Sequence, residues 1–446
     1  MSNKFRTGTL ALAVSMALGT VSAYAAEDDA KAVKEKSVER IAVVGTRSAP
    51  RSVADSPVPI DIVGGDELGK NASSDMLDML QGAIPSLNVR QQPISDAASF
   101  IRPVNLRGLS SDSTLVLLNG KRRHRASVIA FQGGGVNDGA QGPDISVIPS
   151  VAIKQVEVLR DGAAAQYGSD AIAGVLNFVL KDSADGGSIS VKAGEYYEGD
   201  GGLLVVDGNI GMPFTDDGFA NLSFQYKTAE ATSRSVQRPD AQGLIDAGNT
   251  HVASPAMVWG NPEIEDDITL FANVGLDLGN DNEFYMFGNY SDRTATGGYY
   301  YRNPQNRGGV FTDGNGDLLV GAMDGNAAAC PNIAILKGSN GETLDVRNQQ
   351  NYIDGVANND NCWAFNELMP GGYTPQFTGV INDVSLTMGT RGDIQGGLLD
   401  DAYYDISGSV GRNKSTYTLV NTVNPSMGAL NASQPNNAFE AGSYIQ

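Results

Sequence analysis

The chain has 446 residues, with 51 Asp and Glu against 31 Lys and Arg, so its formal net charge is −20. An acidic chain is a poor match for nucleic acid, whose phosphates need a basic surface. It contains two histidines, His124 and His251, and it lacks the Gly-x-Ser-x-Gly, His-Glu-x-x-His and Gly-x-x-x-x-Gly-Lys-Ser/Thr motifs. A His-rich zinc site, a nucleophile elbow and a phosphate loop are therefore excluded. We expect no enzyme activity, no catalytic residue, no bound metal and no cofactor.

The N-terminus carries an export signal. Lys4 and Arg6 precede an apolar run, Leu10 to Val21, which ends in the small-residue pattern Ala23-Tyr24-Ala25. The run is shorter than the roughly 20 residues that a membrane-spanning helix needs. Residues 1–25 are therefore predicted to be a cleaved secretory signal, and an inner-membrane anchor is the less favoured alternative.

Residues 26–50 are small and charged apart from one β-prone segment, Ile41-Ala42-Val43-Val44-Gly45. We expect a periplasmic tether here, because so few apolar residues cannot form a core. An extended segment near a chain terminus can add itself as a strand to the sheet edge of a partner protein. The alternative is that it forms the first strand of the domain that follows.

Residues 51–185 predict a compact α+β domain. Continuous or alternating apolar runs predict its strands, and Asp66 to Gly82 contains a helix with Met76, Leu77 and Leu80 on one face. Asn119-Gly120 is a hairpin turn signal at the end of an apolar run. The predicted strands are Val58–Val63, Thr114–Leu118, Ile153–Leu159 and Val175–Leu180.

Residues 186–446 lose the helical periodicity, and segments of about ten residues alternate apolar with small or polar side chains. Such segments are typical of a transmembrane β-barrel, in which one face meets lipid and the other meets a polar lumen. A soluble β-sandwich would show a similar alternation and stays open as an alternative. The clearest segments are Ser188–Ala193, Phe219–Lys227, Ile268–Leu278, Phe284–Tyr290 and Tyr403–Val410.

Two long polar segments, about 231–265 and 302–380, interrupt this region. Because outer-membrane barrels have short periplasmic turns and long extracellular loops, we assign both segments to the outside. Cys330 and Cys362, the only two cysteines in the chain, fall in the second segment. In an exported chain they predict one loop-closing disulfide, and two free thiols are the alternative.

Two ordered motifs connect this architecture to a known family. Residues 105–120 read NLRGLSSDSTLVLLNG, and residues 145–181 contain IPSVAIKQVEVLRDGAAAQYGSDAIAGVLNFVLK. This pattern resembles the plug domain of TonB-dependent receptors. The resemblance implies an α+β plug domain, followed by antiparallel transmembrane strands that make an incomplete 22-strand barrel. It also implies a Gram-negative outer-membrane location, lipid contact, and TonB with its inner-membrane energising complex as partner.

The resemblance further assigns roles to particular residues. The segment Ile41, Ala42, Val43, Val44 and Gly45 falls where such receptors carry the TonB box. The charged residues are similar to those with which plugs engage one another and the barrel wall, although solvated charges at strand ends would look the same. The plug-motif residues are Arg107, Gly108, Glu157, Arg160, Gly162, Tyr167 and Gly168.

Two outward-facing plug segments, 91–102 and 122–143, are expected to hold the ligand contacts. A basic cluster in an acidic protein would suit an anionic metal chelate such as a ferric siderophore. A solvated turn that offsets nearby acids is the alternative. The candidate contacts are Phe100, Arg102, Arg122, Arg123, His124 and Arg125.

The expected function is energised uptake of a scarce ligand. Iron chelates come first, followed by cobalamin, other metal complexes and oligosaccharides. A passive porin and a ligand-sensing signalling receptor remain as functions of other classes.

Overall fold

The computed structural model describes residues 41–42, 51–52, 60–89, 94, 96–102, 104–130, 135–160, 166–397, 402–428 and 437–445. The predicted signal at 1–25, the residues Val43, Val44 and Gly45 of the predicted TonB box, and the predicted plug-motif residue Gly162 lie outside these ranges. Among the described residues, no helix is both long and apolar enough to cross a membrane.

The strands are numbered in chain order. They are β1 Ile41–Ala42, β2 Arg51–Ser52, β3 Ile60–Gly64, β4 Leu87–Val89, β5 Val104–Leu106, β6 Thr114–Leu118, β7 Lys121–Arg122, β8 Ile153–Leu159, β9 Gly174–Leu180, β10 Gly187–Gly194, β11 Leu203–Pro213, β12 Gly218–Ala229, β13 Glu263–Gly279, β14 Asn282–Gly298, β15 Val320–Ala322, β16 Cys362–Ala364, β17 Gln376–Ile394, β18 Ala402–Val420 and β19 Asn437–Ile445.

The helices are fewer and shorter. They are α1 Gly65–Gly69, α2 Met76–Ala83, α3 Pro239–Asp246, α4 Gln350–Tyr352, which continues into a π-turn at Ile353–Ala357, and α5 Phe365–Leu368. Single 3₁₀ turns cover Asp96–Ser99, Ser111–Ser113, Gly135–Asn137, Ser150–Ala152, Ser169–Ala171, Ala327–Ala329 and Val346–Asn348.

The plug, here residues 60–180, is built on a five-stranded sheet in the order β3-β8-β9-β6-β7. All five residues of β6 are buried, which explains the uninterrupted apolar run that predicts this strand. Asn119 and Gly120 both have positive φ and turn β6 into β7, as their sequence predicts. The plug therefore rests on a sheet that local sequence signals specify well.

Two helices occupy the region where the sequence predicts helical structure. Between them, Asn71 Oδ1 accepts the Ser73 N–H, and Ser73 Oγ accepts the Asp75 N–H. These side-chain bonds compete with helical hydrogen bonds and separate α1 from α2. Asp75 then caps α2 by accepting the N–H groups of Leu77 and Asp78. The face of α2 that carries Leu77 is buried, as predicted.

Strands β10 to β14 and β17 to β19 form one antiparallel sheet of eight strands in chain order. Its outer face carries exposed apolar side chains, including Ile189 at 76% and Ile406 at 69% exposure. Its inner face carries buried polar residues such as Asn273 and Asp383, which lie against the plug. A soluble sandwich would bury its apolar face, so this arrangement favours a transmembrane sheet around a polar lumen.

The connections of this sheet are long at one end and short at the other. Residues 230–262 and 299–375 join strands at the end that we call the loop end, close to the loops predicted at 231–265 and 302–380. At the opposite end, Asn280 and Asp281 alone join β13 to β14, and both have positive φ. The asymmetry matches that of outer-membrane barrels.

The long connection 299–375 folds on its own small apolar clusters rather than forming an irregular loop. One cluster contains Leu318, Ile333, Val346 and Tyr352. A disulfide joins Cys330 to Cys362, as the sequence predicts. The bond ties the start of β16 to a segment that otherwise carries short turns.

We expect the double substitution Cys330→Ser and Cys362→Ser to loosen this connection without unfolding the sheet. A loop of this length contributes about 3–4 kcal/mol in the chain-entropy model. Trypsin should therefore cleave the variant much faster at Lys337 or Arg347, measured by mass spectrometry of the fragments. Cleavage at the wild-type rate would show that the apolar clusters alone hold the connection.

Candidate functional site at the plug and sheet interface

The base of the plug shares its core with the sheet. Phe271, Tyr285 and Phe287 project from the inner face and pack in the same apolar cluster as the plug residues. Beside them, Lys121 of β7 pairs with Asp405 of β18 at 2.7 Å. The plug is therefore seated on the sheet by both apolar packing and charge.

Higher on the inner face, Asp383 of β17 binds the segment that follows β7. Arg123 Nη2 donates to Asp383 Oδ1 at 2.5 Å, and His124 Nε2 lies 2.9 Å from Oδ2. Neighbouring strands supply Asn289 Nδ2 and Asn413 Nδ2, each at 2.9 Å from the carboxylate. The side chains of Arg123 and Asp383 are each 2% exposed. A buried charge pair is stable only when it is hydrogen-bonded this completely.

The same segment continues along the wall to β18. Ser127 donates its backbone N–H to Asn413 Oδ1 at 2.8 Å, and its hydroxyl lies 2.7 Å from Ser415 Oγ. Gly411 is required here, because a Cβ at this position would collide with the His124 ring. We call the group Arg123, His124, Ser127, Asp383 and Asn413 the wall anchor.

The wall anchor changes the interpretation of three predicted ligand contacts. The polar atoms of Arg123 and His124 face Asp383, so both residues hold the plug to the sheet instead of facing a ligand. Phe100 is also buried, and its ring stacks at 6.0 Å on Phe377 and at 6.1 Å on Tyr417. The sequence alone does not show that the sheet covers the side chains of Arg123 and His124.

Arg122 and Arg125 remain partly exposed. Arg122 pairs with Asp170, and Arg125 lies 3.5 Å from Asp112. The Arg122 guanidinium holds the pKa of the Asp170 carboxyl below its usual value. These two arginines fit the alternative reading, in which the basic cluster offsets nearby acids at the surface.

The charged residues of the plug motif engage one another and their plug neighbours. Arg107 Nη1 donates to the Arg160 carbonyl at 2.9 Å, and Arg160 pairs with Asp61. Glu157 is fully buried and accepts a hydrogen bond at 3.0 Å from Asn177 of the adjacent strand. These bonds run within the plug, so they support a role in plug integrity.

The remaining described motif residues make turns and packing contacts. Gly108 has φ +74° and Gly168 has φ +90°, which is a backbone region that favours glycine. Tyr167 packs on the small cluster formed by Ile60 and Leu115. These residues therefore form turns and a packing contact within the plug.

A cavity of about 720 Å³ lies at the loop end, between the plug and the inner face. Its floor is formed by plug residues 69–75 and 99–102, and its walls by the upper parts of β10, β12 and β14. Its lining includes nine charged residues, Lys70, Asp75, Asp78, Arg102, Lys192, Glu195, Lys227, Glu230 and Arg293. Among the candidate contacts, Arg102 and Phe100 line this cavity.

Most cations of the cavity have defined partners. Arg102 pairs with Asp75 at 2.5 Å and with Asp78 at 3.2 Å. Lys192 Nζ donates to the Asn71 carbonyl at 2.8 Å. Burial alone would raise the pKa of Asp75, but the charges of Arg102 and Lys227, together with the Asp78 N–H and Arg293, lower that pKa below its usual value.

Arg293 of β14 closes the cavity from the wall side. It donates to Ser146 Oγ at 2.5 Å and to the Phe100 carbonyl at 3.0 Å, and it pairs with Asp144 at 3.2 Å. Burial raises the pKa of Asp144 and Arg293 opposes that rise. Arg293 thus holds two plug loops, those that carry Phe100 and Asp144, against the sheet.

Sequence reasoning missed the three cations that the sheet contributes, Lys192, Lys227 and Arg293. Each lies at an inward-facing position of a strand in which apolar and polar side chains alternate. The polar positions of such a strand are therefore the sequence signal that could have identified them. Among the residues that the structure describes, no group of three or more His, Cys, Asp or Glu is arranged to hold a metal ion. The charged residues that line the cavity are five cations and four acids.

Residues 52–175 match the family model of the TonB-dependent receptor plug domain. The chain is 27% identical over 191 residues to the ferric enterobactin receptor PirA of Pseudomonas aeruginosa, covering 42% of this chain and 25% of that receptor. It is 30% identical over 135 residues to the vitamin B12 transporter BtuB of Vibrio vulnificus, covering 30% of this chain and 20% of the transporter. The matched segments thus span a quarter or less of these relatives.

A solved structure of a ferric enterobactin receptor mutant from Pseudomonas aeruginosa is similar at a TM-score of 0.48 and 13% identity. It matches 87% of this chain, which spans 45% of that structure.

Proposed function

We propose that this chain serves energised uptake of an anionic metal chelate. The premise is that residues 52–175 carry the plug domain of a TonB-dependent outer-membrane receptor. Ferric siderophores are the first candidates. The relatives include receptors named for ferric enterobactin, which agrees with this class of ligand.

The observation that carries the proposal is the cavity at the loop end. It lies on the side of the plug from which an external ligand would arrive, and Arg102, Lys192, Lys227 and Arg293 line it in a protein of net charge −20. Cations in a recessed, partly desolvated site attract anions more strongly than they do in bulk water. A charged chelate therefore has a defined place to bind before transport.

Transport then requires the plug to move, because it covers the inner face of the sheet. The wall anchor, the Lys121–Asp405 pair and the shared apolar core oppose that movement. The sequence contains no phosphate-loop motif, so the work must come from a partner. We assign recruitment of TonB to the segment Ile41–Gly45.

The described part of that segment is consistent with strand addition. Ile41 and Ala42 already pair as a strand with Ser52 and Arg51. An extended segment that pairs locally can pair with the sheet edge of another protein in the same way. A passive porin would need neither this segment nor a plug held by buried charge.

The test is growth of an iron-starved strain that lacks its own receptors. The complete coding sequence that contains this chain is compared with a version lacking residues 41–45. We expect ferric enterobactin to support growth only with the intact version, because the plug cannot be moved without TonB. Both versions must reach the outer membrane at equal levels, checked by immunoblot.

Other outcomes separate the alternatives. Growth with both versions would establish passive diffusion and overturn energised uptake. Growth on cyanocobalamin in a cobalamin-dependent strain, without growth on any ferric chelate, would keep the transport mechanism and change the ligand class.

A further inference from the structure

The inner face of β12 carries a buried cation at Lys227. The residue is 7% exposed and lines the cavity at the loop end. Within the part of the chain that the structure describes, no hydrogen bond or ion pair joins its ammonium group to another residue. A buried charge without a partner is costly, so its retention at this place points to a function.

Three other cations of the cavity have hydrogen-bond or ion-pair partners. Asp75 and Asp78 hold Arg102, backbone carbonyls hold Lys192, and Asp144 holds Arg293. Glu195 and Glu230 are exposed at the rim. Lys70 also lines the cavity but is exposed, so among the described residues Lys227 is the buried cation of the cavity without an ion pair or a side-chain hydrogen bond.

Asp267 is the residue that could instead neutralise Lys227. It stands opposite Lys227 in the ladder between β12 and β13, and also opposite Arg293 in the ladder between β13 and β14. It is buried, yet its hydrogen bond is with Thr269 at 3.4 Å, and no ion pair joins it to Lys227 among the described residues. Asp267 also does not line the cavity, whereas Lys227 does.

We propose that Lys227 on the wall and Arg102 on the plug form an anion subsite, which binds one anionic oxygen group of the chelate, a catecholate or a carboxylate. The proposal rests on the proposed uptake function and adds the residue of the sheet that selects for charge. Lys227 supplies a cation that has no ion pair among the described residues, and Arg102 presents the guanidinium edge that its two aspartates orient.

Asp75 connects the subsite to the fold. It caps α2 and pairs with Arg102, and the charge of Lys227 acts on it as well. An anion bound between Lys227 and Arg102 competes with Asp75 for both cations. Anion binding at the subsite therefore weakens the attraction of Lys227 and Arg102 for Asp75, the residue that caps the N-terminus of α2.

The experiment measures binding to the purified full-length receptor in detergent by isothermal titration calorimetry. The probes are ferric enterobactin, which carries a net negative charge, and ferrichrome and cyanocobalamin, which carry no net charge. We expect Lys227→Met to weaken ferric enterobactin binding by about 10- to 100-fold, as loss of a charged hydrogen bond does. Lys227→Arg should restore most of the affinity.

Stability gives a second readout that separates ligand binding from a structural role. Because Lys227→Met removes a buried unpaired charge, the melting temperature should stay equal or rise. Asp267→Asn is the matched control, since it is buried on the same face and one strand away. It should leave ferric enterobactin affinity unchanged or improve it.

A cysteine variant keeps the test valid if Lys227→Met fails to assemble. Cys330 and Cys362 are bonded to each other, so Lys227→Cys adds a free thiol to this chain. Modification with aminoethyl methanethiosulfonate restores an ammonium, and methyl methanethiosulfonate does not. Affinity recovered only by the charged reagent supports the subsite.

The remaining results would overturn the subsite, or the subsite together with the uptake proposal. Ferric enterobactin binding that is unchanged in Lys227→Met overturns the subsite and leaves the uptake proposal standing. A wild-type receptor that binds only the uncharged probes, or none of the three, overturns both. A fall in affinity that is matched by Asp267→Asn and by a lower melting temperature assigns Lys227 to structure alone.

Discussion

Replacing Asp383 with alanine in the full-length receptor should detach the plug from the wall while leaving the sheet assembled. The substitution leaves the buried Arg123 guanidinium without its counter-ion and removes the acceptor of Asn289 and Asn413. Breaking a buried pair from one side costs about 3–5 kcal/mol, since the remaining charge stays desolvated. This is a large fraction of the stability of a domain.

The measurement is the sensitivity of cells to vancomycin, which is too large for general porins. Cells with Asp383→Ala should become sensitive, because a loosened plug opens the lumen, and the purified receptor should melt at a lower temperature. Asp393→Ala is the control, because Asp393 lies on the same strand but is exposed. Equal vancomycin resistance and equal melting temperature in the two variants would contradict the role of the wall anchor.

Substitution of Gly174 should damage the plug from inside. Gly174 begins β9 at φ +144°, and a Cβ there would lie 2.5 Å from the Leu159 carbonyl oxygen and 2.6 Å from Leu106 Cδ2. Neither the β8 backbone nor the buried Leu106 has space to retreat. Gly174→Val therefore combines backbone strain with overpacking, at a total of about 3 kcal/mol or more.

Limited proteolysis of the purified receptor checks this expectation. The plug of Gly174→Val should be digested while the sheet persists. Gly64→Ala provides the control. Gly64 also lies in a plug strand, but a Cβ added there would meet no other atom within 4 Å. A protected plug in Gly174→Val would mean that β8 can shift to admit the side chain.

The plug was predictable because its signals are local. The apolar run of β6, the Asn119-Gly120 turn and the buried face of α2 each depend on neighbours in sequence. The long sheet was harder to predict. The predicted segments do not include its strands β11, β17 and β19. Strand β17 begins at Gln376, inside the segment 302–380 that is expected to be a loop.

The physical reason is the polar lumen. In β17, Asp383 and Thr387 are buried against the plug, while Val384 and Met388 are exposed on the outer face. Polar residues that normally mark loops are here the buried ones, so composition misleads. The sequence of one strand alone does not show which of its two faces meets the lumen and which meets lipid.

The same limit applied to the site. The sequence pointed to the plug segments that hold Phe100, Arg102 and Arg123, because clusters of unusual residues are visible in sequence. The sequence does not distinguish Arg102, which lines the cavity, from Arg123, which binds Asp383. That distinction depends on strands more than 250 residues further along the chain, since Arg123 and Asp383 are 260 positions apart.

The Cys330–Cys362 bond has a consequence for the order of biogenesis. The bond lies in the connection at the loop end, which faces the outside of the cell in the proposed orientation. In bacteria thiols are oxidised in the periplasm. We therefore expect the bridge to close before the strands enter the outer membrane. We then expect the connection to cross that membrane as a partly folded unit, closed by the disulfide and its small apolar cluster, instead of as an extended chain.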